Sequence, residues 1–311
     1  KRYDAMTIGE IDEGLPADDL SDFIGENGYF STIFDFCHAK LHVNSTEWKD
    51  KPVEMIDELK KLLFAKQDAI KGKGMLCNYL ENHYLSRVVE RFIPAKEIDF
   101  YSKSIVGGIN FFMPGIVFLY QGQAIGMMDY PKQDITEFED PTTFIQYDEY
   151  LQNGMTETEA LAQINLETRE HARTPMQWND RQYAGFSGAK PWFPVNPNYS
   201  HINYDSQKKD PDSLYTFYKK MISLRKSDEF QELFIYGEFT PIYETEPGII
   251  GYERRLNDKK VLIINNAKPT ETTLPVSGTI KKLLLSNYEN TVMQNDMIKL
   301  QRYQLLILER A

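Results

Sequence analysis

Three places in this chain carry residues whose types and spacing suit chemistry at the end of a strand. Glu10 closes the short apolar pattern Tyr3-Asp4-Ala5-Met6-Thr7-Ile8-Gly9, which delivers a carboxylate at its C-terminal end. Met75 to Leu80 reads as a strand leading into Glu81-Asn82-His83-Tyr84, and Gly115 to Tyr120 as another ending at Gln121-Gly122-Gln123. A carboxylate so placed can do acid or base work on a bound substrate. Polar residues at the C-terminal ends of several strands mark the catalytic face of a parallel β/α barrel. Taken alone, His83 reads more readily as a satisfied structural residue than as a ligand-binding one.

The elements that would position these groups alternate between strand and helix patterns through the first half, which argues for parallel β/α units. Phe30 to Phe36 is a further strand, and a helix follows from about Pro52 to Ile70, where Val53, Ile56, Leu59 and Leu63 recur at helical spacing. A helix from about Ala95 to Met113 feeds the strand at 115–120. From about 130 to 207 the chain turns aromatic, Pro-rich and acidic, with one amphipathic helix near Thr156 to Arg169; long ordered insertions of this kind are usually functional. Asp210-Pro211-Asp212-Ser213 caps a helix running to about Lys226. Residues 1–234 thus form one α/β unit. Residues 235–311 form a small antiparallel β-domain of about seven short strands.

Composition bounds the partners. With 41% hydrophobic residues and 13% aromatics the chain buries a sizeable core, and a net charge of -11 argues against nucleic acid or an anionic membrane. Neutral substrates fit better. No apolar run approaches the roughly 20 residues that span a bilayer. Cys37 and Cys77 read as reduced thiols, which favours the cytoplasm, and no signal-peptide pattern opens the chain. No His, Cys or Asp spacing points to a metal, and no cofactor is expected.

The stretches His171-Ala172-Arg173-Thr174-Pro175-Met176-Gln177-Trp178, Ala184-Gly185-Phe186-Ser187, Pro191-Trp192-Phe193-Pro194-Val195-Asn196-Pro197-Asn198-Tyr199 and Asp210-Pro211-Asp212-Ser213 resemble the oligo-1,6-glucosidase group of the α-amylase family, glycoside hydrolase family 13. That group includes dextran glucosidases, trehalose-6-phosphate hydrolases and sucrose isomerases. Met6-Thr7-Ile8-Gly9-Glu10, Glu81-Asn82-His83, Arg87-Val88-Val89 and Tyr120-Gln121-Gly122-Gln123 fall in the same order, so the resemblance runs the length of the chain. It implies the C-terminal half of a (β/α)8 TIM barrel, strands five to eight, followed by an antiparallel β-sandwich domain. It also implies a retaining, exo-acting α-glucosidase chemistry on isomalto- or related oligosaccharides, with Glu10 as general acid/base, His83 on the hydroxyls of the terminal glucose and Arg169 at the closed end of its pocket.

Three departures bear on activity. The family's nucleophile lies on its fourth strand in a Gly-Phe-Arg-x-Asp type motif, and no such motif occurs here. Where the family reads Asn-His-Asp, this chain has Asn82-His83-Tyr84, a phenol in place of the carboxylate that grips the sugar in the transition state. Ala124 also stands where the family usually carries a carboxylate. The resemblance therefore implies an α-glucosidase relative inactive alone, or a non-catalytic remnant that binds sugar or pairs with another chain. Half a barrel exposes two parallel edges, so self-association or a complementing N-terminal chain is expected. Arg173 reads as a loop tie, Trp178, Trp192 and Tyr199 as loop packing rather than sugar stacking, and Asp12, Glu13, Asp18 and Asp19 as a solvated run.

Overall fold

The computed structural model describes residues 5–11, 15–25, 27–42, 51–294 and 296–311. Residues 1–4 of the first strand pattern, and Asp12 and Glu13 of the acidic run, lie outside the described residues. Strand β1 (Ile8–Ile11) pairs in parallel with β2 (Thr32–Asp35), Glu10 standing opposite Phe34. The short helix α1 (Leu20–Phe23) and Ile24 link them, and Leu20, Ile24 and Ile33 are buried together beneath the pair. Strand β3 (Cys77–Asn78) pairs in parallel with β4 (Ile116–Val117). The two ladders adjoin through side chains, among them Thr32 Oγ1, which donates to the Met75 carbonyl at 2.7 Å, and Tyr79 Oη, which donates to that of Asp35 at 3.0 Å. Among the described residues the parallel strands form two small open sheets, and no barrel closes.

The strands at 77 and 116 are shorter than their apolar runs imply. Gly115 marks the reason for β4: it sits at φ +131°, and a Cβ there would come within 2.4 Å of the Leu76 carbonyl oxygen. Regular pairing begins only after that close approach.

Helix α2 (Pro52–Ala69) begins on a proline, which suits a first-turn position, and buries Ile56, Leu59 and Phe64 on one face. After α3 (Val88–Phe92), the helix expected over 95–113 is broken: a 3-10 turn at Ala95–Glu97 precedes α4 (Phe100–Gly108), which starts at a capping box between Asp99 and Ser102. The aspartate competes for the backbone at 99 and so resets the helix there. Gly107 lets α4 lie against Tyr218, whose hydroxyl would stand 2.3 Å from any Cβ at that position.

The 130–207 stretch contains two longer helices, not one. Asp140 caps α5 (Pro141–Gln152) and Thr156 caps α6 (Glu157–Glu167), and the two pack on each other. The Asp-Pro step at 140–141 is an N-cap followed by proline at the first helical position, a start signal that the aromatic and acidic composition obscures. Beyond it lie α7 (Tyr204–Gln207), α8 (Leu214–Arg225), whose cap Ser213 accepts from the Thr216 amide, and α9 (Gln231–Tyr236).

The C-terminal part contains eight described strands rather than about seven. They are β5 (Glu238–Ile242), β6 (Ile249–Leu256), β7 (Lys259–Asn266), β8 (Thr272–Pro275), β9 (Ile280–Ser286), β10 (Val292–Gln294), β11 (Met297–Leu300) and β12 (Gln304–Arg310). All pairings are antiparallel, in a five-stranded sheet ordered β5-β6-β7-β12-β9 and a three-stranded sheet ordered β10-β11-β8. The pleat sends alternate residues to opposite faces. Val261, Ile263, Leu305 and Ile307 join the main core with Ile105, Ile109, Phe217 and Met221. Leu262, Ile264, Leu306 and Leu308 form a second apolar layer with Leu274, Ile298 and Leu300 of the smaller sheet.

One buried cation ties the two parts together. The fully buried Arg254 guanidinium on β6 donates to the carbonyls of Phe112 at 2.6 Å, Phe234 at 3.0 Å, Leu233 at 3.1 Å and Gly237 at 2.9 Å. Among the described residues, no helix is long and apolar enough to cross a membrane.

Candidate active site

The C-terminal ends of the four parallel strands converge on a cavity of about 230 Å³. Glu10 reaches it from β1, Phe34 and Phe36 from β2 and the residue beyond it, Tyr79, Glu81, Asn82 and His83 from the segment after β3, and Phe118 to Tyr120 from the segment after β4. Its walls are aromatic. Phe34 meets Phe118 edge-on at 4.6 Å between ring centroids and Tyr79 at 5.2 Å. Tyr79 is fixed by its hydrogen bond to Asp35. Into this lining project Glu10 and His83, both solvent-exposed. Among the described residues the Glu10 carboxylate has no hydrogen-bond or ion-pair partner, so it is available to an incoming group.

A second carboxylate, Glu81, lines the same cavity but is committed elsewhere. It is buried, its Oε1 accepts from the Val88 amide at 3.1 Å and its Oε2 faces the Arg87 guanidinium at 3.6 Å. Burial pushes its pKa up, against the pull of Arg87. Arg87 is itself fully buried, donates to the Gln121 carbonyl at 2.6 Å and lies over the Tyr120 ring. Glu81 thereby links the turn after β3 to α3 and, through Arg87, to the segment after β4.

At the rim, Asn82 Oδ1 accepts from the Tyr84 amide at 2.8 Å, and this local turn sets the direction of His83 and Tyr84. The Tyr84 ring is 43% exposed, stands 4.2 Å from the His83 ring and 6.1 Å from Phe36, and carries the Arg169 guanidinium over its face at 5.9 Å. Arg169 does not itself line the cavity. Its Nε and Nη2 are held by the Asp140 carboxylate, and Nη2 also donates to Thr142 Oγ1 at 3.0 Å. Arg173 approaches the same carboxylate at 3.7 Å and donates from Nε to the His83 carbonyl at 3.2 Å. Asp140 is held well below the usual carboxylate range, chiefly by its bond to Arg169. One aspartate therefore caps α5, gathers two arginines and braces the His83 turn.

The insertion is ordered from within by buried polar groups. Lys132 pairs with Glu170, whose Oε1 accepts from the amides of Glu139 and Asp140 at 2.7 Å each. His171 accepts from the Tyr130 amide at 3.0 Å and faces the Asn165 carbonyl at 2.8 Å, and burial lowers its pKa to about 4. It is a neutral structural residue. Glu90 on α3 accepts from the Asp129 amide, while Asp129 accepts from the Arg87 amide at 2.7 Å. Burial and mutual repulsion raise Glu90 to about 8, and burial raises Asp129 to about 7.

Cys37 and Cys77 are free thiols, and burial raises Cys37 to about 12, so it is no nucleophile near neutrality. Trp178 packs edge-on against Tyr204 at 5.8 Å, and Trp192, 75% exposed, leans on Phe193; neither lines the cavity. Among the described residues no three His, Cys, Asp or Glu are grouped to hold a metal. Sequence reasoning brought out Glu10 and His83 but missed Glu81, Asp140 and the aromatic walls. Phe34 and Phe36 carried a signal, their period-two spacing at a strand end.

The alpha-amylase catalytic-domain family model matches residues 1–233. The oligo-1,6-glucosidase of Parageobacillus thermoglucosidasius is 33% identical over 294 residues, covering 93% of this chain and 52% of that protein. The α-glucosidase of Schizosaccharomyces pombe is 29% identical over 320 residues, covering 99% and 55%. The crystal structure of Bacillus licheniformis trehalose-6-phosphate hydrolase superposes with a TM-score of 0.87 at 28% identity, covering 100% of this chain and 57% of that one. The isomaltulose synthase of Protaminobacter rubrum gives 0.89 at 25% identity, covering 100% and 56%. The chain spans about half the length of the curated relatives it matches.

Proposed function

This chain belongs to the α-amylase family, and on that premise we propose that its cavity receives the glucosyl end of an α-glucoside, that Glu10 is the acid/base group, and that the isolated polypeptide binds such sugars without hydrolysing them efficiently. The observation that carries the reading is the convergence of an exposed Glu10, without a partner among the described residues, and an exposed His83 on one aromatic-walled cavity at the ends of parallel strands. In this reading the described strands correspond to the family's fifth to eighth barrel strands, and the two packed antiparallel sheets to its C-terminal sandwich.

A retaining glycosidase needs a protonated acid and a nucleophilic carboxylate about 5–5.5 Å apart. Glu10 can protonate a leaving oxygen. Glu81, the other carboxylate lining the cavity, is a poor nucleophile: it is buried, bonded to the Val88 amide, faces Arg87, and is pushed toward its neutral form. Tyr84 withholds negative charge from the developing positive charge on the sugar, and losing one such electrostatic contact costs about 3 kcal/mol or more. Arg169, tied to Asp140, acts on the pocket through Tyr84, whose ring it covers.

The test is nitrophenol release from a nitrophenyl α-glucoside by the purified chain, beside Glu10→Gln and Tyr84→Asp variants, with isomaltose binding followed by NMR. Turnover of the natural chain should not exceed the Glu10→Gln control, and His83→Ala should weaken isomaltose binding. Glu10-dependent turnover would overturn the inactive reading and make Glu81 the first nucleophile to replace. No isomaltose binding in any form would remove the glucoside assignment.

A second reading is favoured by the sheet edges. β1 pairs only with β2 among the described strands, and Met6 just before it and Ile8 at its start are 57% and 40% exposed. Such an edge invites pairing with a second copy or a complementing chain. A stable monomer at low concentration, by size-exclusion chromatography with light scattering, would exclude self-association.

A further inference from the structure

The molecule carries a second concave surface that shares no residue with the Glu10 cavity. It is an open groove of about 860 Å³ between α4, the start of α8 and the segment joining β9 to β10. That volume lies within the range of small-ligand clefts. Its floor holds an aromatic pair: Tyr101 of α4 and Tyr288 stack at 4.0 Å with 15° between ring planes. Tyr288 is fixed twice, its hydroxyl donating to the Arg302 carbonyl at 2.8 Å and its amide to Ser286 Oγ at 3.0 Å. Arg302 lies over the Tyr101 ring at 5.9 Å, so the platform is held from the adjoining side as well. The ring of Tyr288 remains partly open to solvent.

The groups around this platform are polar and mixed in sign. Lys220, Asp212, Glu289 and Asn290 are exposed, and Gln301 is half-buried beside them. One amine, two carboxylates and two amides offer donors and acceptors, with a slight excess of negative charge. A polyanion would find too little positive charge, and an apolar peptide too many polar groups to desolvate. A sugar ring matches both features, with a C–H face that lies on a fixed aromatic ring and hydroxyls at its edge that hydrogen-bond to amides and charged side chains.

We propose that this groove is an accessory binding site for a short neutral α-linked gluco-oligosaccharide, separate from the Glu10 cavity. The choice of glucan rests on the α-glucoside reading of the cavity; the groove itself rests on Tyr288 and its surroundings. The site would hold chain remote from the end presented to Glu10.

The experiment is titration of the full chain with isomaltotetraose by calorimetry, with hydrogen exchange mapped in the presence of the sugar. Protection is expected over 286–292 and 212–220. Tyr288→Ala should lower groove affinity at least tenfold, and Tyr288→Phe should retain it. Because loss of the stacked ring can disturb the fold, the exposed pair Lys220→Ala with Asn290→Ala provides a second arm, with severalfold weaker binding and an unchanged melting temperature. His83→Ala should leave the groove signal intact. Protection confined to residues 79–83 and 118–120, with affinity unaffected by Tyr288→Ala, would overturn the groove while sparing the cavity reading. Absence of any isomaltotetraose binding would also overturn it, and the sensitivity of isomaltose binding to His83→Ala judges the cavity separately.

Discussion

The Glu90–Asp129 pair should make this protein lose stability as pH rises through neutrality. Below the ordinary carboxylate range both states are protonated at these residues and the pair contributes nothing. Above it the unfolded chain releases both protons while the folded chain, with Glu90 near 8 and Asp129 near 7, retains them. The folded state then binds more protons than the unfolded, so stability falls with pH until both groups ionise above about 8. His171 has the opposite sign: its folded value near 4 lies below the usual imidazole value, so its contribution rises with pH and is complete by about 6.5. The interval from about pH 6.5 to 8.5 therefore separates the carboxyl pair from His171. At about 1.4 kcal/mol per proton per pH unit the two groups would forfeit up to ~3 kcal/mol across it. Solvent at the rim of this half-buried pair reduces that to about 1–2 kcal/mol. Thermal melts in matched buffers should show a fall of about 1.5–3 °C over this interval. Glu90→Gln keeps an acceptor for the Asp129 amide while removing one ionisation, and should flatten most of the slope and raise the melting temperature at the alkaline end. A wild-type melting temperature that is constant across the interval, or an unchanged slope in Glu90→Gln, would refute the reasoning.

Two further predictions concern what holds the site in place. Arg254→Met removes four hydrogen bonds to buried carbonyls and leaves those acceptors unmatched, so denaturant unfolding should show a loss of about 3–5 kcal/mol; a loss below about 1 kcal/mol would mean the guanidinium is not the tie between the two parts. Asp140→Asn keeps a good helix cap but releases Arg169 and Arg173, which are about a third exposed, so the cost at neutral pH should be about 1–2 kcal/mol. Because Asp140 is depressed in the folded state, its advantage over the Asn variant is present above the ordinary carboxylate range and lost as pH falls through the folded value, so unfolding curves of the two proteins should converge in strong acid.

Much of this architecture was legible because it follows from local rules. Helix α2 is marked by Pro52 and apolar spacing, α8 by the Ser213 cap, and the C-terminal strands by alternation between turn residues. Glu10 and His83 could be singled out because each stands at the end of an apolar run. The 95–113 segment was harder: its continuous apolar character hides the capping box at Asp99, and only the approach of Tyr218 to Gly107 accounts for how closely α4 lies against α8. In the insertion, Asp140-Pro141 was a readable helix start, but composition drew the reading toward loop.

Sequence by itself determined which side chains stand at the strand ends, because strand periodicity and turn chemistry are set within a few residues. It also determined the family, through ordered motifs running the length of the chain. Which carboxylates are available was decided only by tertiary contacts. Glu10 and Glu81 are the same residue type in similar sequence settings, yet one is exposed and has no partner among the described residues while the other is buried against Val88 and Arg87. Asp140 became the brace of the site because residues 29 and 33 positions further on return to it. Burial and the return of distant chain determine an ionisable group's partners and its charge, and neither is written in the few residues on either side of it.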